Sequence, residues 1–221
     1  MNKKHLIILV GAILLNSCIV KSVQPFYTKE TVVKNDRISG TWNDQNGGLW
    51  KIISFEDEFE KNQESNEKLS DEDKEIKEKF KDSYFVNYTD KKKRDADFFI
   101  FLFELDKNLY ADFIPFFTNS NDLNELEENH LTPTHSVAKV NFSKENKITF
   151  SWFREDKLSK LIQNKRIRIK YLKNEVSGDV LLLDTSENLQ EFIKRYEASN
   201  IEDKWTEKEA YKLTKKVDAE D

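Results

Sequence analysis

The hydrophobic residues of this chain come in short runs with a period of two, and the links between the runs have hairpin length. Runs at 38–42, 49–55, 84–88, 98–105, 109–114, 136–142, 148–153, 167–172 and 180–183 are rich in aromatic and β-branched residues, which suit a pleated, half-buried surface. Val140 and Phe142, then Ile148, Phe150 and Trp152, alternate with polar neighbours, as a sheet with one buried face requires. The links Gly47-Gly48, Asp106-Lys107-Asn108, Lys144-Glu145-Asn146 and 174–178 make neighbouring strands antiparallel. The pattern therefore predicts a mostly β (α+β) fold, an antiparallel curved sheet or small barrel with two or three short helices.

One run breaks the alternation. Residues 97–105 (DFFIFLFEL) are apolar on both pleat faces, which suits a central strand covered on both sides or one wall of a cavity. Helical spacing is confined to two places. Leu158, Leu161 and Ile162 share a face within 155–163, and Leu189, Phe192, Ile193 and Tyr196 share one within 187–196, where Asp184, Thr185 and Ser186 are cap-type residues. Segment 57–82 is dominated by Glu, Asp and Lys and reads as a solvated insertion in a hairpin. Ser70 before Asp71, Glu72 and Asp73 marks a helix start there, and Ile76 and Phe80 follow at i,i+4. Residues 118–129 are acidic and Asn-rich and read as a surface loop. The β-rich domain is placed at 37–203, preceded by a tether at 18–36 and followed at 204–221 by a charged tail read as a frayed helix.

The first residues carry an address. Lys3 and Lys4 precede an apolar run at 6–15, the length of a secretory core and too short to span a bilayer. The run ends in Leu15-Asn16-Ser17-Cys18, which resembles a bacterial lipobox: 1–17 would be a lipoprotein signal peptide, and Cys18 would carry S-diacylglycerol and N-acyl chains. Each buried methylene contributes about 0.8 kcal/mol, so two or three chains hold permanently where one holds marginally. The mature chain would keep 204 of the 221 residues, and losing Lys3 and Lys4 takes the side-chain charge from −5 to −7. Ile19, Val20, Lys21 and Ser22 lack the Asp that retains some Gram-negative lipoproteins at the inner membrane, so the expected location is the envelope, with the outer membrane favoured.

Composition then narrows the chemistry. Cys18 is the single cysteine, which rules out an internal disulfide or a CxxC site. A net charge of −5 without a basic stripe argues against nucleic acid as a partner. The sequence has no GxSxG elbow, SxxK, P-loop or dinucleotide fingerprint, so no catalytic residue and no cofactor is assigned. His130 and His135 lie near Asp122, Glu125, Glu127 and Glu128, but their spacing matches no established ligand pattern, and no metal is expected. His135, beside Thr132-Pro133-Thr134 at a strand entry, reads as a satisfied structural polar group. Lys91-Lys92-Lys93-Arg94 reads as a hairpin loop. The 27 aromatics either fill a core or line a ligand cavity.

Gly40-Thr41-Trp42 resembles the GxW start of lipocalin-like barrels. A longer series is similar to an uncharacterised family of bacterial envelope lipoproteins: 109–115, His130-Leu-Thr-Pro-Thr-His135, a pair of hydrophobic strands, and Leu181-Leu-Leu-Asp-Thr-Ser-Glu-Asn-Leu-Gln-Glu-Phe-Ile. The likeness covers about residues 38–200, and Asp184 stands where such sequences often have Thr or Ala. It implies an address rather than a reaction. The expected function is that of a lipid-anchored, non-enzymatic envelope protein that binds a small apolar ligand or another envelope component. The alternatives are an envelope glycan hydrolase with a carboxylate pair and a structural adaptor.

Overall fold

The computed structural model describes residues 19–62, 69–116, 131–164, 166–174, 179–205 and 210–216. The first part of the chain forms β1 (Lys21–Ser22), a 3-10 turn (Asp36–Ile38), β2 (Gly40–Asp44), β3 (Leu49–Ser54), α1 (Phe55–Asn62), α2 (Asp71–Phe80) and β4 (Ser83–Thr89). There follow β5 (Asp95–Leu105), β6 (Asn108–Phe116), β7 (His135–Phe142), β8 (Lys147–Trp152) and α3 (Glu155–Gln163). The chain continues through β9 (Tyr171–Lys173), β10 (Val180–Leu182), α4 (Ser186–Ala198) and β11 (Tyr211–Lys215).

Eight strands close on themselves in the order β6-β5-β4-β3-β2-β11-β8-β7, with β7 pairing back to β6 and every neighbour antiparallel. The fold is thus a mostly β, lipocalin-like closed barrel, and closure leaves its strands no free edge. The GxW segment lies at one end. Trp42 points inward and donates from its indole N–H to the Ile38 carbonyl at 2.9 Å, while Ile38, at the end of the 3-10 turn, is fully buried in the barrel core. The 44–48 turn between β2 and β3 needs its glycines: Gly47 has φ +83, and a Cβ on Gly48 would meet Asp44 Oδ2 and Tyr88 Cε2 at 2.5 Å.

β5 is covered on both sides. Phe98, Ile100 and Leu102 join the barrel core. On the outer face, Phe99 and Phe101 meet the charged insertion, which is more than a solvated excursion. It forms α1 and α2, whose Phe55 and Phe80 pack on the sheet, Phe80 lying 4.5 Å from Phe99 and Phe55 6.1 Å. The expected helix start holds: Ser70 accepts from Asp73 N and Asp73 reaches back in a capping box. The described residues form four α-helices rather than two or three, because this insertion supplies two.

Three other segments differ from the sequence reading. Of the expected tether at 18–36, the described residues 19–36 are seated on the folded domain. Val20 and Phe26 are buried, β1 pairs parallel with β10 and antiparallel with β7, and Val33 donates to the Leu102 carbonyl. The tail read as a frayed helix contains β11, which fills the gap between β2 and β8. The run at 167–172 is a strand only from Tyr171, where β10 runs alongside; Ile169 before it is buried in a second apolar cluster under α4. In each case pairing with distant chain outweighs local preference.

That second cluster lies outside the barrel wall. Phe103, Tyr110 and Val137 face outward into it and meet Phe26, Leu158, Leu182, Leu189, Ile193 and Tyr196. The molecule therefore has a barrel core and an outer core in which α3, α4 and the β1-β10-β9 extension are seated.

Candidate functional site

The lumen is filled by side chains, as an eight-stranded barrel permits. Trp50, whose indole bonds Asp44 of the 44–48 turn, has ring centroids 4.8 Å from Tyr88, 5.0 Å from Tyr211 and 5.9 Å from Phe150. Phe113 lies 5.4 Å from Phe150 and 4.9 Å from Trp152. Each such pair adds roughly 0.5–1.5 kcal/mol beyond its area. Among the described residues the aromatic surplus thus builds a core here.

The three buried carboxylates among the described residues are held by structural hydrogen bonds. Asp44 accepts from the Asn46 and Gly48 N–H groups and from the Trp50 indole at 3.0 Å. Asp184, at the start of α4, accepts from Lys170 N, Thr185 N and the Asn188 amide. The Asn188 bond is the largest of the causes that hold its carboxyl below the usual range. Asp112, on the outer face of β6, has zero exposure; its Oδ2 accepts from Phe26 N at 2.6 Å and its Oδ1 lies 2.8 Å from His135 Nδ1. Burial pushes the Asp112 carboxyl up, against the opposing effect of His135. His135 is thus a partnered polar group at a strand start, as the sequence suggested. No buried side-chain polar atom among the described residues lacks a partner.

A fourth cluster joins the barrel to α4. Glu197 Oε1 accepts from Tyr110 Oη at 3.0 Å, Lys139 Nζ at 2.8 Å and Trp205 Nε1 at 2.7 Å. Burial raises this carboxyl, but Lys139 and the two neutral donors outweigh it, and the net shift is downward. A depressed folded value contributes stability that is present above the unfolded value and lost as pH falls through the folded one, hence below about pH 4. Glu197→Ala leaves three donors around an empty acceptor site and is expected to cost about 1–3 kcal/mol. Glu197→Gln, measured by chemical denaturation from pH 3 to 7, is expected to flatten the acid limb of the stability curve.

Two grooves open on the outer surface. One, of about 670 Å³, lies between α2 and the pair Tyr27–Phe101, which stack at 4.4 Å. Its charges are mixed: Lys81 lies 2.8 Å from Glu78 within the lining, and Lys74 and Asp82 pair with Asp71 at 2.7 Å and Lys34 at 3.6 Å outside it. The other, of about 440 Å³, lies between α3, residues 166–169 and α4. Its apolar floor includes Leu161, Ile169, Phe192 and Ile201, and Arg166, Arg168 and Arg195 stand on its walls. None of the three guanidiniums is in an ion pair among the described residues. The groove's carboxylate, Glu191, is held by Lys194 at 3.0 Å.

A third surface is a sheet face. Lys21, Leu181 and Leu172 are in register across β1, β10 and β9, so their side chains share one side. Around them Ile19, Val23, Leu172 and Leu183 are 37%, 43%, 59% and 43% exposed, an apolar concentration unusual for a free surface.

Of the residues singled out from sequence, Cys18, His130, Asp122, Glu125, Glu127 and Glu128 lie outside the described residues, as does the segment 1–17 expected to be a signal peptide. Lys91-Lys92-Lys93-Arg94 forms the β4–β5 turn around Asp90, which accepts from Lys92 N and Arg94 N and pairs with the Arg94 side chain at 2.7 Å. Among the described residues no group of three or more His, Cys, Asp or Glu side chains could hold a metal ion, and no helix is long and apolar enough to cross a membrane. The sequence reading passed over Arg166, Arg168 and Arg195. Arg166-Ile167-Arg168-Ile169 carries an alternating basic–apolar signal, but nothing local places Arg195 opposite it.

Comparison with family models, curated proteins and solved structures found no match. The fold and these surfaces define an eight-stranded antiparallel barrel with a filled lumen and an outer helical layer that carries the open groove.

Proposed function

We propose that this protein is a lipid-anchored component of a bacterial cell envelope, the outer membrane favoured, that works without catalysis, by binding through its outer surface. The observation that carries the reading is Leu15-Asn16-Ser17-Cys18 after a short apolar run, and the similarity of 38–200 to envelope lipoproteins agrees with it. Ile19 is the residue next to Cys18 in the chain. It is exposed together with Val23, Leu172 and Leu183, and this apolar face would meet a membrane holding the acyl chains. With aromatic side chains packed in the barrel core, the outer groove is the surface offered to a small apolar ligand. The buried carboxylates, each held by structural hydrogen bonds, give a glycan hydrolase no support. A structural adaptor is the second reading, favoured by the same exposed sheet face.

The test is Cys18→Ala, with intact mass and membrane fractionation as readouts. The wild-type protein is expected to begin at Cys18, carry acyl mass and sediment with membranes. The variant is expected to lack that mass and to remain as an uncleaved or released form. Unchanged mass and unchanged fractionation would overturn the anchor.

A further inference from the structure

The chain carries more carboxylates than cations, 41 Asp and Glu against 36 Lys and Arg, so exposed arginines have acidic neighbours in ample supply. Arg154 lies 2.8 Å from Asp156, and Arg94 2.7 Å from Asp90. Arg166, Arg168 and Arg195 depart from that pattern. They come from two separate parts of the chain, line one groove and have no carboxylate partner among the described residues. The groove's own acid, Glu191, is already taken by Lys194. Beneath the guanidiniums the surface is apolar: Ile169 and Leu161 are 7% and 8% exposed and belong to the outer core, against which Ile167, Phe192 and Ile201 also pack. Guanidinium forks match a phosphate in bidentate geometry and are weakly hydrated for cations, so they bind anions well beside apolar surface. A volume of about 440 Å³ lies within the usual range of small-molecule sites.

We propose that this groove binds a single-chain amphiphile with a phosphate head, the three arginines holding the head and the Leu161–Phe192–Ile201 floor taking the chain. The proposal rests on the reading of the protein as a binding module and is independent of acylation at Cys18. The α2 groove is the weaker candidate, because its lysines are interleaved with Glu75, Glu78 and Asp82.

The test is isothermal titration calorimetry of the mature full-length chain with dodecyl phosphate below its micellar concentration. Dodecyl phosphate is expected to bind, dodecanoate more weakly, and neutral dodecyl maltoside and inorganic phosphate at least about tenfold more weakly than the alkyl phosphate. Arg168→Ala with Arg195→Ala removes exposed side chains and is expected to leave the melting temperature unchanged while weakening dodecyl phosphate binding by about tenfold or more. Equal binding of the neutral detergent, equal binding of inorganic phosphate, or unchanged binding by the double variant would each overturn the proposal. So would binding to phosphatidylglycerol vesicles with none to the monomeric amphiphile, which would assign the arginines to a membrane surface. Acyl mass at Cys18, measured on the same preparation, separates failure of the groove from failure of the anchor.

Discussion

Removing residues 211–221 is expected to abolish cooperative folding. β11 is the strand that joins β2 to β8, and without it the barrel opens along two unpaired edges. Leu213 is fully buried and Tyr211 packs 5.0 Å from Trp50, so the loss also uncovers the barrel core. Truncating one buried Leu costs about 2–5 kcal/mol and a large aromatic about 3–5. With the ladder hydrogen bonds of five residues added, the sum is comparable to the whole stability of a domain, about 5–15 kcal/mol. Exposed edges of this kind also template association. The measurement is far-UV circular dichroism with thermal melting and size-exclusion chromatography. The expected result is a broad, low-temperature transition and aggregated material. Leu213→Asp, which puts a carboxylate in the lumen without shortening the chain, is expected to reproduce most of the loss. A monomeric truncated chain with an unchanged midpoint would show that β11 does not close the barrel.

Asp112→Ala is expected to cost about 2–4 kcal/mol, as much as truncating a buried apolar side chain although no apolar contact is its main loss. At zero exposure it leaves the Phe26 N–H and the His135 ring nitrogen without a partner, and each such group costs about 1–3 kcal/mol. It also frees the 19–33 segment from the barrel wall. Asp112→Asn keeps an acceptor for Phe26 N–H and offers an amide to His135, and is expected to cost less than about 1 kcal/mol at neutral pH. The pH dependence has a definite sign. Burial holds the folded carboxyl above its unfolded value. Between those two values the folded state binds the proton more tightly, and stability contributed by this site falls as pH rises. The wild-type advantage over Asp112→Asn is therefore expected to shrink as pH rises from about 4. Urea denaturation of both proteins across that range measures it. A cost for Asn as large as that for Ala would mean that the charge, rather than the acceptor, holds the segment.

The barrel's walls were legible in the sequence because their pattern is local. Val140–Phe142 and Ile148–Trp152 show their buried face by alternation alone, and Gly47-Gly48 marks its turn by a requirement that only glycine meets. The double-sided run 97–105 announced cover on both sides, though which segment covered the outside was not visible. Phe55, Phe59 and Phe80 are spread through a segment dominated by Glu, Asp and Lys, so its mean composition hides the stripe that α1 and α2 present to β5. The groove was less legible still: Arg166 and Arg168 show alternation, but Arg195 joins them only because α4 is seated on the outer core.

By itself, then, the sequence determined the class of fold, the positions of most strands and the caps of α2 and α4. These are set by neighbouring residues, through side-chain period, turn chemistry and capping hydrogen bonds. Only the tertiary structure decided that 19–33 is seated on the barrel, that Tyr211–Lys215 is a strand, that the aromatics pack into the barrel core, and that three guanidiniums with no ion pair among the described residues share one groove. Those outcomes depend on partners far away in the chain: Lys21 on Leu181, Phe26 on Asp112, Leu213 on Asp44 and Ile148. A two-residue strand and a five-residue run among lysines are too short to declare themselves. They take their form from the edges already waiting for them in the folded sheet.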